Sequence, residues 1–180
     1  VYEELFLFSR TVAARLKDRD QAQNFFKAKR AQTERARFLG ALPFELTVDQ
    51  LSAIDSIDAD LNAKTPMNRL LQGDVGSGKT IVACYALFQA VVHGYQAAFL
   101  IPTEVLASQH ATSVSHLLGK LDISVAVLTG STKKKERSKI LDDLKTGKID
   151  VLLGTHALLE EDVSFDALGL VVIDEQHKFG

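Results

Sequence analysis

The chain has 180 residues, of which 46% are hydrophobic and 24% charged, a balance ordinary for a globular protein with enough chain for one core. A net charge of −2 argues neither for nor against nucleic acid, since a basic surface can be local, and a single cysteine, Cys84, excludes a disulfide framework or a zinc cluster made within the chain. No stretch approaches the apolar length of a membrane span and the N-terminus lacks the pattern of a signal peptide, so a cytoplasmic location without membrane contact is expected.

From Val1 to about Phe38 the pattern is helical, with Leu5, Phe8, Val12 and Leu16 at spacings of three and four, and then Phe25 and Phe26. The second half carries Lys27, Lys29, Arg30, Arg35 and Arg37, either a solvated face or a basic surface turned to DNA or a neighbouring domain. Residues 1–40 are therefore read as a helical linker and 41–180 as the main domain. Thr47 and Gln50 have the spacing of a capping box, opening a helix on which Leu51, Ile54, Ile57 and Leu61 recur. Gln50 also suits a second task, because its amide has a donor and an acceptor that can pair with an adenine edge while Phe44 stacks nearby.

Arg69-Leu70-Leu71-Gln72 reads as a short strand and Ile81 to Val92 as a helix stopped by Gly94. Between them stands Gly73-Asp74-Val75-Gly76-Ser77-Gly78-Lys79-Thr80, the pattern G-x-x-x-x-G-K-[ST] in the strand-loop-helix context that gives it meaning. Glycines at 73, 76 and 78 let successive backbone N–H groups, including that of Ser77, face one concavity, and the helix N-terminus adds partial positive charge. A triphosphate matches that concavity: Lys79 supplies a point charge between its outer phosphates and Thr80 a hydroxyl for the magnesium ion that accompanies them. A merely connecting glycine turn would need neither residue. Cys84 falls in the apolar helix that follows and reads as a buried small hydrophobe.

Beyond the loop, strand and helix alternate: Gln96 to Ile101, then a helix from Glu104 to Leu118 capped by Thr103; Ile123 to Leu128, then a charged helix from Lys133 to Lys145 ended by Gly147; then strands at Ile149 to Leu153 and Leu168 to Ile173. Lys133-Lys134-Lys135 precede Glu136, Asp142 and Asp143 on one helix, which favours a solvated face. About five apolar strands alternating with helices predict an α/β fold, a parallel sheet covered on both faces, whose ligands gather at the carboxyl ends of the strands. At those ends fall the phosphate loop, Thr103, Gly130, Thr155 with His156, and Asp174-Glu175.

Two acids ending an apolar strand are costly in packing alone, and magnesium would supply the balancing cation. Asp174 would hold the ion, directly or through its waters, and Glu175 would polarise the attacking water, the plain alternative being a solvated strand end. Gln176 and His177 follow, and the position of His177 beside the acids favours coupling over metal binding.

Leu42-Pro43-Phe44-Glu45-Leu46-Thr47, Pro66 to Thr80, Ile101 to His110, Gly154 to Leu159 and Asp174-Glu175-Gln176-His177-Lys178-Phe179-Gly180 together resemble the RecG branched-DNA helicases of superfamily 2. The related transcription-repair coupling factors share much of the pattern but usually have Glu and Gln where this chain has Gln176 and His177. The resemblance implies a RecA-like P-loop NTPase domain, the first motor domain of an ATP-dependent DNA helicase that remodels branched double-stranded DNA in recombination and repair. It implies ATP and Mg2+ as cofactors. Phe44 and Gln50 would approach adenine, Gln176 and His177 would relay the state of the outer phosphate, and Thr103, Gly130, Thr155 and His156 would follow the DNA backbone. It also implies a longer parent chain with a wedge domain before and a second motor domain after, the latter bringing an arginine finger, so this chain alone is expected to bind ATP without efficient hydrolysis. The other readings are a translocase of the coupling-factor type, a nucleotide-binding module only, and a small-molecule phosphate-loop kinase, the last disfavoured because Ile81 to Leu128 has no arginine.

Overall fold

The computed structural model describes residues 28–63 and 66–174. The helical pattern up to Lys27, the side chains of Lys29 and Arg30, and the segment with Glu175, Gln176 and His177 lie outside the described residues.

Helix α1 (Ala28–Ala41) is followed by α2 (Val48–Leu61), α3 (Lys79–Val92), strand β1 (Gln96–Leu100), α4 (Glu104–Gly119), β2 (Val125–Leu128), α5 (Lys134–Lys145), β3 (Val151–Gly154), a 3-10 turn (His156–Leu159) and β4 (Leu168–Ile173). The four strands pair in the order β2-β3-β1-β4, all parallel, as the near-continuous apolar runs predict. Side chains alternate across the sheet. Ala97, Phe99, Val151 and Leu153 join a core with α2, α3 and α4, while Ala98, Leu100, Leu128 and Leu152 face a second core with Ile140 and Leu144 of α5.

The expected strand at Arg69-Leu70-Leu71-Gln72 does not form, so the sheet has four strands among the described residues rather than five. A strand needs an edge to pair with, and this segment pairs with neither edge strand, β2 nor β4. It is held from outside instead: Arg69 Nε donates to Asp60 Oδ2 at 2.6 Å, Met67 and Leu71 tuck against the core, and Leu70 stays 69% exposed.

The described part of the expected linker packs into the main core. Phe38 is fully buried and meets Tyr85 edge-on at 5.2 Å and Phe88 at 5.5 Å between ring centroids. Arg35 pairs with Asp55 and Asp58, while Arg37 donates to the Leu121 carbonyl at 2.8 Å. These two arginines are thus internal braces rather than a free basic surface. Tyr85 donates to Asp58 at 2.6 Å and Gln89 donates to Tyr85 at 2.8 Å, a chain of polar contacts joining α1, α2 and α3. Burial, despite the Tyr85 and Arg35 contacts, pushes the Asp58 carboxyl above its usual range.

Gln96 fastens the opposite end of the sheet. Its buried amide donates to the carbonyls of Leu144 and Ile149 at 2.8 and 2.7 Å and accepts from Asp166 and Ala167 at 2.7 and 3.1 Å, so the end of α5 and the entries to β3 and β4 share one side chain. Gly154 closes the other end. A Cβ there would collide with the Leu128 carbonyl of β2 and with Leu158, so only glycine lets β3 lie this close to its neighbour.

Candidate functional site

Register fixes where the site lies. Leu100 pairs with both Gly154 and Ile173, and Leu128 pairs with Gly154, so the four strands end level and the residues after them emerge along one edge. Helix α3 runs back against the sheet, because Gly94, at a φ of +86°, turns the chain from the end of α3 directly into the start of β1. Its N-terminus, and the phosphate loop before it, therefore sit at the same carboxyl edge as Asp174.

The loop folds on two left-handed glycines, Gly76 at a φ of +81° and Gly78 at +80°, and Gly78 caps α3 without a side chain, leaving the first N–H groups of the helix facing the loop. Ser77 N–H donates to the Asp74 carbonyl at 3.2 Å, and Gly73 lies against the Ser77 hydroxyl, where a Cβ would be 2.8 Å from Oγ. The Lys79 ammonium donates to the carbonyls of Gly73 and Asp74 at 2.6 and 2.7 Å. Lysine has three donors, so one remains when both carbonyls are engaged. Thr80, partly buried, is the second residue of α3.

Thr47 and Gln50 form the full capping box, with Gln50 N–H donating to Thr47 Oγ1 at 3.3 Å and Thr47 N–H donating to Gln50 Oε1 at 2.9 Å. The same amide reaches the phosphate loop, Nε2 donating to the Ser77 carbonyl at 3.0 Å. The cap is therefore present in full, and the oxygen and nitrogen of the amide each keep capacity for one further partner. Phe44 is 51% exposed just ahead of this helix, an apolar face open to a flat ligand.

Asp174 follows β4 with its N–H donating to the Leu100 carbonyl at 2.9 Å. Its Oδ2 lies 3.2 Å from Nε2 of His110 on α4. Among the described residues no cluster of three His, Cys, Asp or Glu side chains could hold a metal by itself. Among the described residues, the strand-end edge offers the Thr80 hydroxyl and the Asp174 carboxylate. Hard oxygen donors in small number suit Mg2+, which keeps several waters and takes the rest of its shell from phosphate oxygens.

The expected DNA-facing residues lie along the same edge but differ in exposure. Thr103 is exposed and caps α4, its Oγ1 accepting from Leu106 N–H at 3.3 Å while its own proton stays available. Gly130 is exposed in a turn knitted by hydroxyls, in which Thr132 Oγ1 accepts from Thr129 N–H at 3.0 Å and Thr129 meets Ser131 at 3.0 Å. Thr155 is buried, at 8% exposure, whereas His156 beside it is exposed. Lys133, Lys134 and Lys135 are exposed at the start of α5, as a solvated face would be.

Two residues escape sequence reasoning. Glu104 Oε1 accepts from Ser131 N–H at 3.0 Å, tying the first turn of α4 to the Gly130 turn, and His110 meets Asp174. Neither partner is near in sequence, and no spacing rule links them.

A family model described as DEAD/DEAH box helicase matches residues 47–180. The chain is 50% identical along its whole length to the ATP-dependent DNA helicase RecG of Bacillus subtilis (strain 168), of which it covers 26%. It is 52% identical to the ATP-dependent DNA helicase RecG of Staphylococcus aureus (strain NCTC 8325 / PS 47) over 143 residues, 79% of this chain and 21% of that one. A solved structure of RecG bound to a three-way DNA junction matches 100% of this chain with a TM-score of 0.77 and 44% identity, the match spanning 25% of the solved chain. The chain thus spans about a quarter of the length of the relatives it matches.

Proposed function

From the premise that this chain belongs to the DEAD/DEAH box helicase family, we propose that it is the ATP-binding motor domain of a RecG-type helicase that remodels branched double-stranded DNA in recombination and repair. The observation that carries the reading is the phosphate loop at the strand ends, with the Lys79 ammonium held inside it by two carbonyls and Asp174 emerging at the same edge.

In this reading the triphosphate lies across the N–H groups of the loop and of the first turn of α3, and Lys79 exchanges its carbonyl partners for phosphate oxygens. Gln50 braces the loop through Ser77 and presents the rest of its amide to adenine, with Phe44 as the stacking face. Thr80 and Asp174 would hold the magnesium ion, whose charge would offset that of the phosphates, and Glu175 would orient the attacking water. Gln176 and His177 pass the state of the outer phosphate onward. Thr103, Gly130 and His156 follow the DNA backbone without reading sequence, and Thr155, being buried, shapes that track from behind.

Residues 1–40 serve as the bracing connection to a preceding wedge domain and 41–180 as the motor domain, with a second motor domain completing the ATPase site. An arginine acting from outside a site contributes about 10³–10⁵ in rate in related enzymes, so this chain alone binds ATP and turns it over poorly. The test is nucleotide binding and ATP hydrolysis by this chain with and without forked DNA. Binding without DNA-stimulated turnover is expected, and Lys79→Ala abolishes the binding. Robust stimulated turnover by this chain, or tight ATP binding kept in Lys79→Ala, would overturn the reading.

A further inference from the structure

Helix α4 begins at the strand-end edge beside Thr103, and two turns into it stands His110. His110 Nε2 is 3.2 Å from Asp174 Oδ2, and the two side chains are only 20% and 27% exposed. The imidazole is held from a second side by the ring of Phe99 in β1, 5.8 Å away between centroids at a 53° tilt. Asp174 is fixed at its backbone by Leu100, and its carboxylate by the histidine. Nothing in the proposed chemistry requires a histidine on this helix. A solvated helix face would not place an imidazole, packed on an aromatic ring, against the acid that ends β4.

We propose that His110 is a positioning residue for Asp174: it orients the carboxylate so that its remaining oxygen serves the magnesium ion of the bound nucleotide. Groups that orient a metal-side ligand in this way typically govern metal affinity by about 10–100-fold. The inference rests on Asp174 being the magnesium-side acid, and the experiment separates the two.

ATP affinity is measured in Mg2+ and in EDTA for this chain unsubstituted and as His110→Ala, His110→Gln and Asp174→Asn, with thermal unfolding of each as a check on folding. His110→Ala is expected to lose roughly tenfold of the Mg2+-dependent gain in affinity while its EDTA affinity stays unchanged. His110→Gln, which can place a donor near the Nε2 position, recovers most of that gain. If His110→Ala keeps the full gain while Asp174→Asn loses it, His110 does not position the acid and the proposal fails on its own. If Asp174→Asn also keeps the gain, the reading of Asp174 fails and takes the proposal with it. Equal losses of affinity in Mg2+ and EDTA, or no recovery in a folded His110→Gln, would assign His110 a purely structural role and overturn the proposal.

Discussion

Gln50 donates from its side-chain amide to the Ser77 carbonyl at 3.0 Å, so the residue that caps α2 also braces the phosphate loop. A Cβ at Gly78 would run into the same amide, so the glycine is what lets the loop and the glutamine approach this closely.

Gln50→Ala removes both functions at once. Loss of the capping partner should lower stability by about 1 kcal/mol, read as a lower midpoint in urea. Loss of the brace should weaken nucleotide binding generally, and loss of the adenine contact proposed for Gln50 should shrink the preference for ATP over GTP. An unchanged ATP-to-GTP ratio would leave Gln50 as cap and brace alone.

Gly154→Ala tests the sheet rather than the site. The added methyl would meet the Leu128 carbonyl, a backbone atom that cannot rotate away, and Leu158 on the other side. A cost of about 3 kcal/mol or more is expected, from strain that pushes β2 and β3 apart. A near-native unfolding midpoint in the variant would show that the two strands are less tightly juxtaposed than described.

Gln96→Met keeps the volume and discards four hydrogen bonds. Leu144 retains a second partner in Gly147 N–H, at 3.2 Å, so the damage concentrates on Ile149 and on the N–H groups of Asp166 and Ala167. With each abandoned buried group costing about 1–3 kcal/mol, the variant should lose about 3 kcal/mol or more. Hydrogen exchange at residues 166 and 167 should speed up before exchange in α2 does.

Cys84 is buried in α3, and burial pushes its thiol up to about 12. In the native protein at pH 8 it should resist a thiol-specific disulfide reagent and react only on unfolding. The sign of the pH effect follows: an acid whose folded value is raised releases its proton more readily when unfolded, so stability falls as pH rises from about 9, where the unfolded thiol titrates, toward 12. Cys84→Ala should flatten that part of the stability profile.

The sequence by itself determined what could be written locally. Loop chemistry, helix caps and apolar periodicity are short-range, so the Thr47–Gln50 box, the Thr103 cap, the glycine-built phosphate loop and the last strand, Leu168–Ile173, stand where the residues put them. The parallel sheet was legible because continuous apolar runs have few other homes. Only the tertiary structure decided matters in which a residue chooses among distant partners. A short apolar run at 69–72 is a strand only if an edge accepts it, and none does. Arg35 and Arg37 read as a solvated face or a basic surface until Asp55, Asp58 and the Leu121 carbonyl are brought to them. Gln50 at Ser77, Glu104 at Ser131 and His110 at Asp174 are likewise contacts between separate elements. Their physical origin is the level ending of parallel strands, which gathers at one edge groups that the chain itself keeps far apart.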